Sequence, residues 1–433
     1  MHIGVFLQSA GHHSAAWRLP GAVNDAGLNL RHYAECARIA EAGKLDFLFF
    51  ADFCAVSDAD VAAQGYSNFS PHLDPTVLLS ALAAGTDRIG LIATMTSTYN
   101  APYHVARKFA SIDYMSGGRA GWNLVTSTFG EEAYNFGQDK PLDAATRYER
   151  AGEFADVVTG LWRSWEADAI LADKQSGRYY DPAKLHRLDH RGQHFTVRGP
   201  LTIPPSPQGH PVIVQAGASD DGINLAGRVA EIVFTAQNEL APAQAFYGKL
   251  KARAEACGRR RDSVKILPGI AVIVGESEAE ARAKLNRLND LIHPALGLAR
   301  LSNTLGGVDL TGLPLDGPLP DIDIEKTTGQ RSRIELVLRK ARQENASIRD
   351  LMIWAAGTKG HNLLVGTAAS IADRLEEWLA AEAADGFVLM PLSLPGDLRD
   401  FVDQVVPELR RRGSFRADYD GRTLRHHLNS ANR

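Results

Sequence analysis

Eight short apolar runs, each followed by a stretch with helical spacing, constrain this chain more than any other feature. The runs are IGVFL (3–7), FLFFA (47–51), IGLIAT (89–94), GWNLVT (121–126), VIVQA (212–216), EIVFT (231–235), ILPGIAVIV (266–274) and GFVLMP (386–391). Their hydrophobicity is continuous rather than alternating, which is the pattern of strands buried on both faces in a parallel sheet. Amphipathic stretches lie between them at 29–43, 75–86, 102–115, 146–165, 219–229, 241–257, 276–290 and 367–384, and a last helix is expected over 397–412. Eight strands alternating with at least as many helices predict an α/β chain closed as a (β/α)8 TIM barrel. A doubly wound open sheet is the alternative, and the strand count disfavours it.

Three segments break the alternation and read as insertions after strands 2, 4 and 7. Residues 52–74 form a polar loop. Residues 167–210, rich in Tyr, His, Arg and Pro and ending in GPLTIPPSPQGHP, read as a hairpin-bearing excursion. Residues 291–328, with LGGVDLTGLPLDGPLPDIDI, read as a long irregular loop. Loops this long inside a compact chain serve as lids or binding loops, or are disordered. The tail over 413–433 contains GSFRADYDGRTLRHHL, which is too polar and aromatic to fold alone. It is expected to pack on a neighbouring subunit or across the barrel. One elaborated barrel domain over 1–433 accommodates all of these segments.

Composition then excludes several classes of function. Lys and Arg total 47 against 51 Asp and Glu, a net charge of −4 that carries no sign of nucleic-acid binding. Cys36, Cys54 and Cys257 lie far apart without metal-type spacing, as expected in a reducing cytoplasm. The start, MHIGVFLQSAGHH, lacks the basic and long apolar regions of a signal peptide. No run approaches the roughly 18 apolar residues of a membrane span.

In such a barrel the active site forms at the C-terminal ends of the strands. After the first run, SAGHHSAAWRLP gathers His12, His13, Trp17 and Arg18. With only Asp52, Asn123 and hydroxyl residues at the other ends, a metal site is not expected. Trp17 and Arg18 beside two histidines read as a wall for a planar or anionic substrate, or either histidine is a satisfied structural residue. Asp52 ends an apolar strand and needs a donor, from the backbone, an Arg or a ligand N–H. Thr94 and Asn123 present neutral polar groups at the third and fourth strand ends. At the fifth, QAGASDDG brings small residues, Ala218 among them, up to Ser219 and Asp220, either of which can cap the following helix. Such a turn attracts an anion, with a single phosphate the first choice, or it is an ordinary strand-to-helix turn. Together these groups suit a flavin, and no Ser-His-Asp or Cys-His constellation competes.

The order of these motifs resembles the bacterial-luciferase-like flavin monooxygenases, and within them the nitrilotriacetate monooxygenase family. The stretches carrying the resemblance are GHHSAAWRLP, LDFLFFADF, STYNAPYHVARKFASIDYMSGGRAGWNLVTS, RYERAGEFADVVTGLWRSWEADA, HRGQHFTVRGPLTIPPSPQGHPVIVQAGAS and DGFVLMPLSLPGDLRDFVDQVVPELRRRG. They cover nearly the whole chain except about 291–350. The resemblance implies that Asp52 and Thr94 lie near the isoalloxazine ring, with Asn123 on the ring's side. It places Tyr148 of RYERA, and Ala218 and Ser219 of QAGAS, at the FMN phosphate. It implies a cytoplasmic, homodimeric or homotetrameric enzyme that takes FMNH2 from a separate NAD(P)H:flavin reductase. O2 would oxygenate a small-molecule substrate through a flavin C4a-(hydro)peroxide. No GxGxxG nicotinamide fingerprint follows a strand, consistent with reduced flavin arriving preformed. The alternatives are a deazaflavin-dependent oxidoreductase on the same barrel and a flavin-binding accessory protein without turnover. The chain departs from the family at Ala144, where relatives often carry a His four residues before the Tyr.

Overall fold

The computed structural model describes residues 1–56, 61–127, 129–324, 327, 331–357 and 361–429. Residues 57–60 of the first expected insertion, 325, 326 and 328 of the third, and 430–433 of the tail lie outside these. The strands are β1 (His2–Phe6), β2 (Phe47–Phe50), β3 (Gly90–Thr96), β4 (Ala120–Val125), β5 (Ile170–Asp173), β6 (Arg178–Tyr180) and β7 (His190–Arg191). They continue as β8 (Thr196–Val197), β9 (Val212–Ala216), β10 (Ile232–Thr235), β11 (Lys265–Val274), β12 (Asn362–Gly366) and β13 (Gly386–Leu389). Eight of them pair in parallel in the closed order β1-β2-β3-β4-β9-β10-β11-β13, with β13 returning to β1. These are the eight apolar runs, and the (β/α)8 barrel expected from them is the fold observed.

Both faces of the strands are buried, for the reason their sequences are continuous. Ile92, Val212, Val214, Ile232, Leu267 and Val388 form one cluster with Phe47 and Phe49 inside the barrel. Leu91, Trp122, Leu124 and Ile213 on the alternate face pack outward with residues of the surrounding helices. The register Ile92↔Gly121 and Thr94↔Asn123 puts these four on the inner face. Gly121 is required there, since a Cβ would lie 2.8 Å from Ile92 Cγ1.

The excursion over 167–210 carries two antiparallel hairpins, β5–β6 and β7–β8. The second is tied to the helix Ala144–Trp162 through Glu153, which accepts from the backbone N–H groups of His194 and Phe195 at 2.9 Å each. The loop over 52–74 holds one short helix, Val61–Gln64. The irregular loop expected over 291–328 is partly a helix, Pro294–Thr304, with Pro294 in its first turn and the His293 side chain as its cap. Two further helices, Arg331–Glu344 and Ile348–Gly357, follow. Leu301, Leu305, Ile334, Val337, Leu351 and Met352 give the three a small apolar core separate from the barrel's. That shared core stabilises a helix whose own short apolar stretch does not announce it. The sequence reading also passed over β12, which extends the sheet along the outer half of β11.

The tail crosses the N-terminal end of its own barrel. Leu424 and Leu428 of the final helix, Leu424–Asn429, join the apolar interior beside Phe47 and Ile92. Arg425 pairs with Glu231 at 2.7 Å, and the Tyr419 hydroxyl donates to the Leu45 carbonyl at 2.6 Å. Of the two placements expected, the tail takes the one across the barrel. The opposite, C-terminal mouth is therefore the open end.

Candidate active site

The polar groups at the mouth separate into those that brace the backbone and those left available. Thr96 Oγ1 accepts from Ser127 Oγ at 3.0 Å and from the Thr98 N–H at 3.1 Å, while Ser97 Oγ donates to the Val125 carbonyl at 3.1 Å. These hydroxyls knit the ends of β3 and β4 together. Deeper in the barrel, Asn123 Nδ2 donates to Thr94 Oγ1 at 2.8 Å, and among the described residues the buried Asn123 Oδ1 has no hydrogen-bond partner. An orphaned buried acceptor is costly unless a ligand supplies the donor. Below it Phe6, Phe49 and Phe234 meet with centroids 4.9, 5.7 and 6.1 Å apart, an apolar aromatic floor. His361 stacks on Phe234 at 5.5 Å.

Across the mouth, β9 runs into Gly217, Ala218 and Ser219 and then the helix Asp220–Val229. Ser219 caps this helix by accepting from the Gly222 N–H at 3.2 Å, and its Oγ donates to the Tyr148 oxygen at 3.3 Å. Tyr148 comes from the helix Ala144–Trp162, so two elements 71 residues apart deliver adjacent hydroxyls to one turn. The turn is packed tightly: a Cβ on Gly217 would lie 2.8 Å from Gln215 Nε2 and 3.4 Å from the Tyr148 oxygen. Ala218 and Ser219 are exposed, leaving the turn open from above. Arg147 adds a group the sequence reading did not single out. Its Nη1 donates to the Ser127 carbonyl at 2.6 Å while its Nε is buried with no partner. Its position directly before Tyr148 was the available signal.

Among the described residues the partners of Asp52 are side chains, and neither the backbone nor an Arg, two of its three expected donors, is among them. Its Oδ1 lies 3.6 Å from His72 Nε2, and Cys54 Sγ contacts its Oδ2 at 3.6 Å. The Asp52 carboxylate facing it raises the His72 pKa against the effect of burial. Burial, reinforced by the Asp52 charge, pushes the Cys54 thiol up to about 12, so it stays protonated at neutral pH.

The four residues of the first loop all hold protein partners. His12 Nε2 bonds the Phe6 carbonyl at 2.9 Å, and its ring meets the Phe6 edge at 4.4 Å. His13 Nε2 lies 3.2 Å from Asn289 Oδ1, and its Nδ1 accepts from the Ala15 N–H at 3.2 Å. Trp17 Nε1 donates to the Tyr66 carbonyl at 3.1 Å, and Arg18 Nη1 to the Leu291 carbonyl. They brace the loops after β1, β2 and β11 against one another. Tyr66 in turn stacks on His293, with centroids 3.5 Å apart. Ala144 is exposed in the first turn of its helix. Among the described residues no group of three or more His, Cys, Asp or Glu could hold a metal ion.

The chemistry of the mouth fits a flavin: an acceptor that is buried and unpartnered among the described residues lies above an aromatic floor, and paired hydroxyls stand at a helix start on the same rim. Comparisons with known proteins bear on the same point. Residues 1–385 match the luciferase-like monooxygenase family. The chain is 48% identical over 426 residues to N-acetyl-S-(2-succino)cysteine monooxygenase of Bacillus subtilis (strain 168), covering 98% of this chain and 96% of that protein. It is 48% identical over 438 residues to nitrilotriacetate monooxygenase component A of Aminobacter aminovorans, covering 100% and 96%. A solved riboflavin lyase, with modified FMN and riboflavin bound, superposes with a TM-score of 0.85 at 32% identity, covering 99% of this chain and 95% of that one. With barrel, mouth and motifs in agreement, the chain belongs to the luciferase-like monooxygenase family and is a flavin-dependent monooxygenase.

Proposed function

We propose that this chain is the oxygenase of a two-component system, receiving FMNH2 from a separate NAD(P)H:flavin reductase and using O2 to oxygenate a small organic substrate. The observation that carries the reading is the buried, unpartnered Asn123 Oδ1 held in place by Thr94 above the Phe6, Phe49 and Phe234 floor. Bound reduced FMN would activate O2 there. Asn123 and Thr94 orient the ring by hydrogen bonds to its polar edge, with Asp52 beside them at the end of β2. Tyr148, Ser219 and the Ala218 backbone hold the phosphate. His12, His13, Trp17 and Arg18 hold the loops that close the mouth and exclude water, which protects a reactive oxygen species from hydrolysis. A relative named as component A supports separate reduction of the flavin, and the riboflavin lyase supports FMN as the form bound. Assembly as a homodimer or homotetramer belongs to the same proposal. It is supported by exposed Val77, Tyr114 and Met115 on the adjoining helices Pro75–Ala83 and Pro102–Met115.

Electron supply is the test. The purified chain with NADH, FMN and O2 should consume no NADH. Chemically reduced FMN mixed with the chain should decay in O2 more slowly than free FMNH2, seen by stopped-flow absorbance. Rapid NADH oxidation by the chain alone would overturn the two-component reading.

A further inference from the structure

Arg300 lies on the helix Pro294–Thr304, inside the insertion that follows β11. Its guanidinium carbon sits 5.9 Å from the centroid of the Phe69 ring, which belongs to the loop after β2. Among the described residues no acid pairs with this guanidinium and no carbonyl accepts from it. Burial lowers its pKa and no carboxylate opposes the shift. Of the other arginines around the mouth, Arg18 donates to the Leu291 carbonyl, Arg150 to that of Thr98 and Arg147 to that of Ser127, although Arg147 Nε has no partner among the described residues. A second observation comes from the neighbouring residue. Among the described residues Asn68 has partners for neither Nδ2 nor Oδ1, both buried, while its own carbonyl accepts from Ser9 Oγ at 3.1 Å.

Both residues sit on the loops that close the mouth. Ser9 ends the first barrel strand's loop turn, Trp17 bonds the Tyr66 carbonyl, and His72, three residues past Phe69, contacts Asp52. A half-buried guanidinium without a counter-charge among the described residues is a ready partner for a planar carboxylate, which takes two parallel hydrogen bonds from its fork. The Phe69 ring gives the guanidinium a cation–π contact that leaves its N–H groups for an anion. A single guanidinium without an ion-pair partner among the described residues matches a singly charged group better than a phosphate dianion.

We propose that the substrate oxygenated at this mouth carries a carboxylate, bound by Arg300 over the Phe69 ring with the Asn68 amide as its second polar contact. The proposal rests on the oxygenase reading above and assigns the substrate class of that same site.

Calorimetric titration of the FMN-loaded full-length protein reads binding without turnover. The probes are N-acetyl-S-(2-succino)cysteine, nitrilotriacetate and succinate, each beside its methyl ester. At least one acid should bind, with its ester weaker by tenfold or more, about the loss of one charge-assisted contact. Arg300→Gln should lose roughly 10- to 100-fold of the acid's affinity and none of the ester's. Arg300→Lys should recover part of it, and FMN titrations should give the same affinity in all three proteins, which also reports that the variants fold. Unchanged acid affinity in Arg300→Gln, or no acid binding to the unaltered protein, would overturn the proposal. So would a loss accompanied by a changed assembly mass, since Arg300 would then serve a subunit contact. Acid binding that depends on Arg300 in a protein that does not bind FMN would support the carboxylate site and sink the flavin reading alone.

Discussion

Replacing Arg416 by Met should loosen the closed end of the barrel by an amount that follows from the burial of its partner. Asp46 immediately precedes β2, and its side chain is 0% exposed; that of Arg416 is 7% exposed. Asp46 Oδ1 lies 2.5 Å from Arg416 Nη2 and 3.2 Å from His2 Nδ1, and Oδ2 accepts from the Ile3 N–H at 2.7 Å. Burial pushes this carboxyl toward its neutral form, but the Arg416 charge, His2 and the hydrogen bonds outweigh it and hold the pKa well below the usual range. Removing the guanidinium leaves a buried carboxylate short of its main partner, at a cost of about 3–5 kcal/mol. An unfolding entropy of about 2.1 cal/mol/K per residue over 433 residues comes to about 0.9 kcal/mol/K. The melting temperature should therefore fall by roughly 3–6 °C. Scanning calorimetry at pH 7 measures it. A folded pKa depressed below the unfolded value contributes stability that is present above the unfolded value and lost as pH falls through the folded one. In Arg416→Met the Asp46 pKa rises, so the deficit should narrow on acidification toward pH 4 as the orphaned carboxylate takes up a proton. Asp46→Asn combined with Arg416→Met should melt above Arg416→Met alone. A single variant melting with the unaltered protein at every pH, or a double variant no better than the single, would refute the argument.

Two further outcomes are expected. Ser219→Ala should weaken FMN binding about 5- to 150-fold, the equivalent of roughly 1–3 kcal/mol. Because Ser219 Oγ also caps the helix Asp220–Val229, Ala should cost about 1 kcal/mol of stability as well, whereas Ser219→Gly should keep most of the cap and still lose the flavin contact. Flavin fluorescence titration beside denaturant unfolding separates the two effects, and equal FMN affinity in all three proteins would remove Ser219 from the phosphate site. The second outcome concerns Asp113, which accepts from the Ala120 N–H, Gln208 Nε2 and Ser206 Oγ. Burial nevertheless pushes its carboxyl up to about 6. Between about pH 4 and 6 the folded state then keeps a proton that the unfolded chain has released, so stability falls as pH rises, by at most ~1.4 kcal/mol per pH unit. Asp113→Asn should flatten urea-unfolding stability across that window, and an unaltered slope would show that Asp113 titrates normally.

Much of the barrel was legible because a strand buried on both faces must be apolar at every position. GLIAT and GWNLV satisfy that locally, whatever their neighbours. The insertions were legible as interruptions, and QAGAS as a turn whose small residues permit close approach. The contents of the insertions were not. The helix Pro294–Thr304 is stabilised by Leu351 and Met352, about fifty residues away, and β12 is a strand because β11 outruns its barrel partners. His72 and Arg147 escaped the sequence reading because each gains meaning only from a partner beyond its own segment, Asp52 for one and Ser127 for the other.

The sequence by itself determined a (β/α)8 chain with a flavin-suited mouth and marked Asp52, Thr94, Asn123 and Ser219 as its candidates, to which the family resemblance added Tyr148. Only the tertiary structure decided which groups are satisfied and which are left open. It tied His12, His13, Trp17 and Arg18 into the loops, left Asn123 Oδ1 without a partner, and brought Tyr148 to Ser219 across 71 residues. It also set Arg300 over Phe69 with no counter-charge among the described residues. The reason is physical: local pattern controls which face of an element is buried, whereas hydrogen-bond satisfaction and charge pairing depend on distances set when the barrel closes and its insertions fold over the mouth.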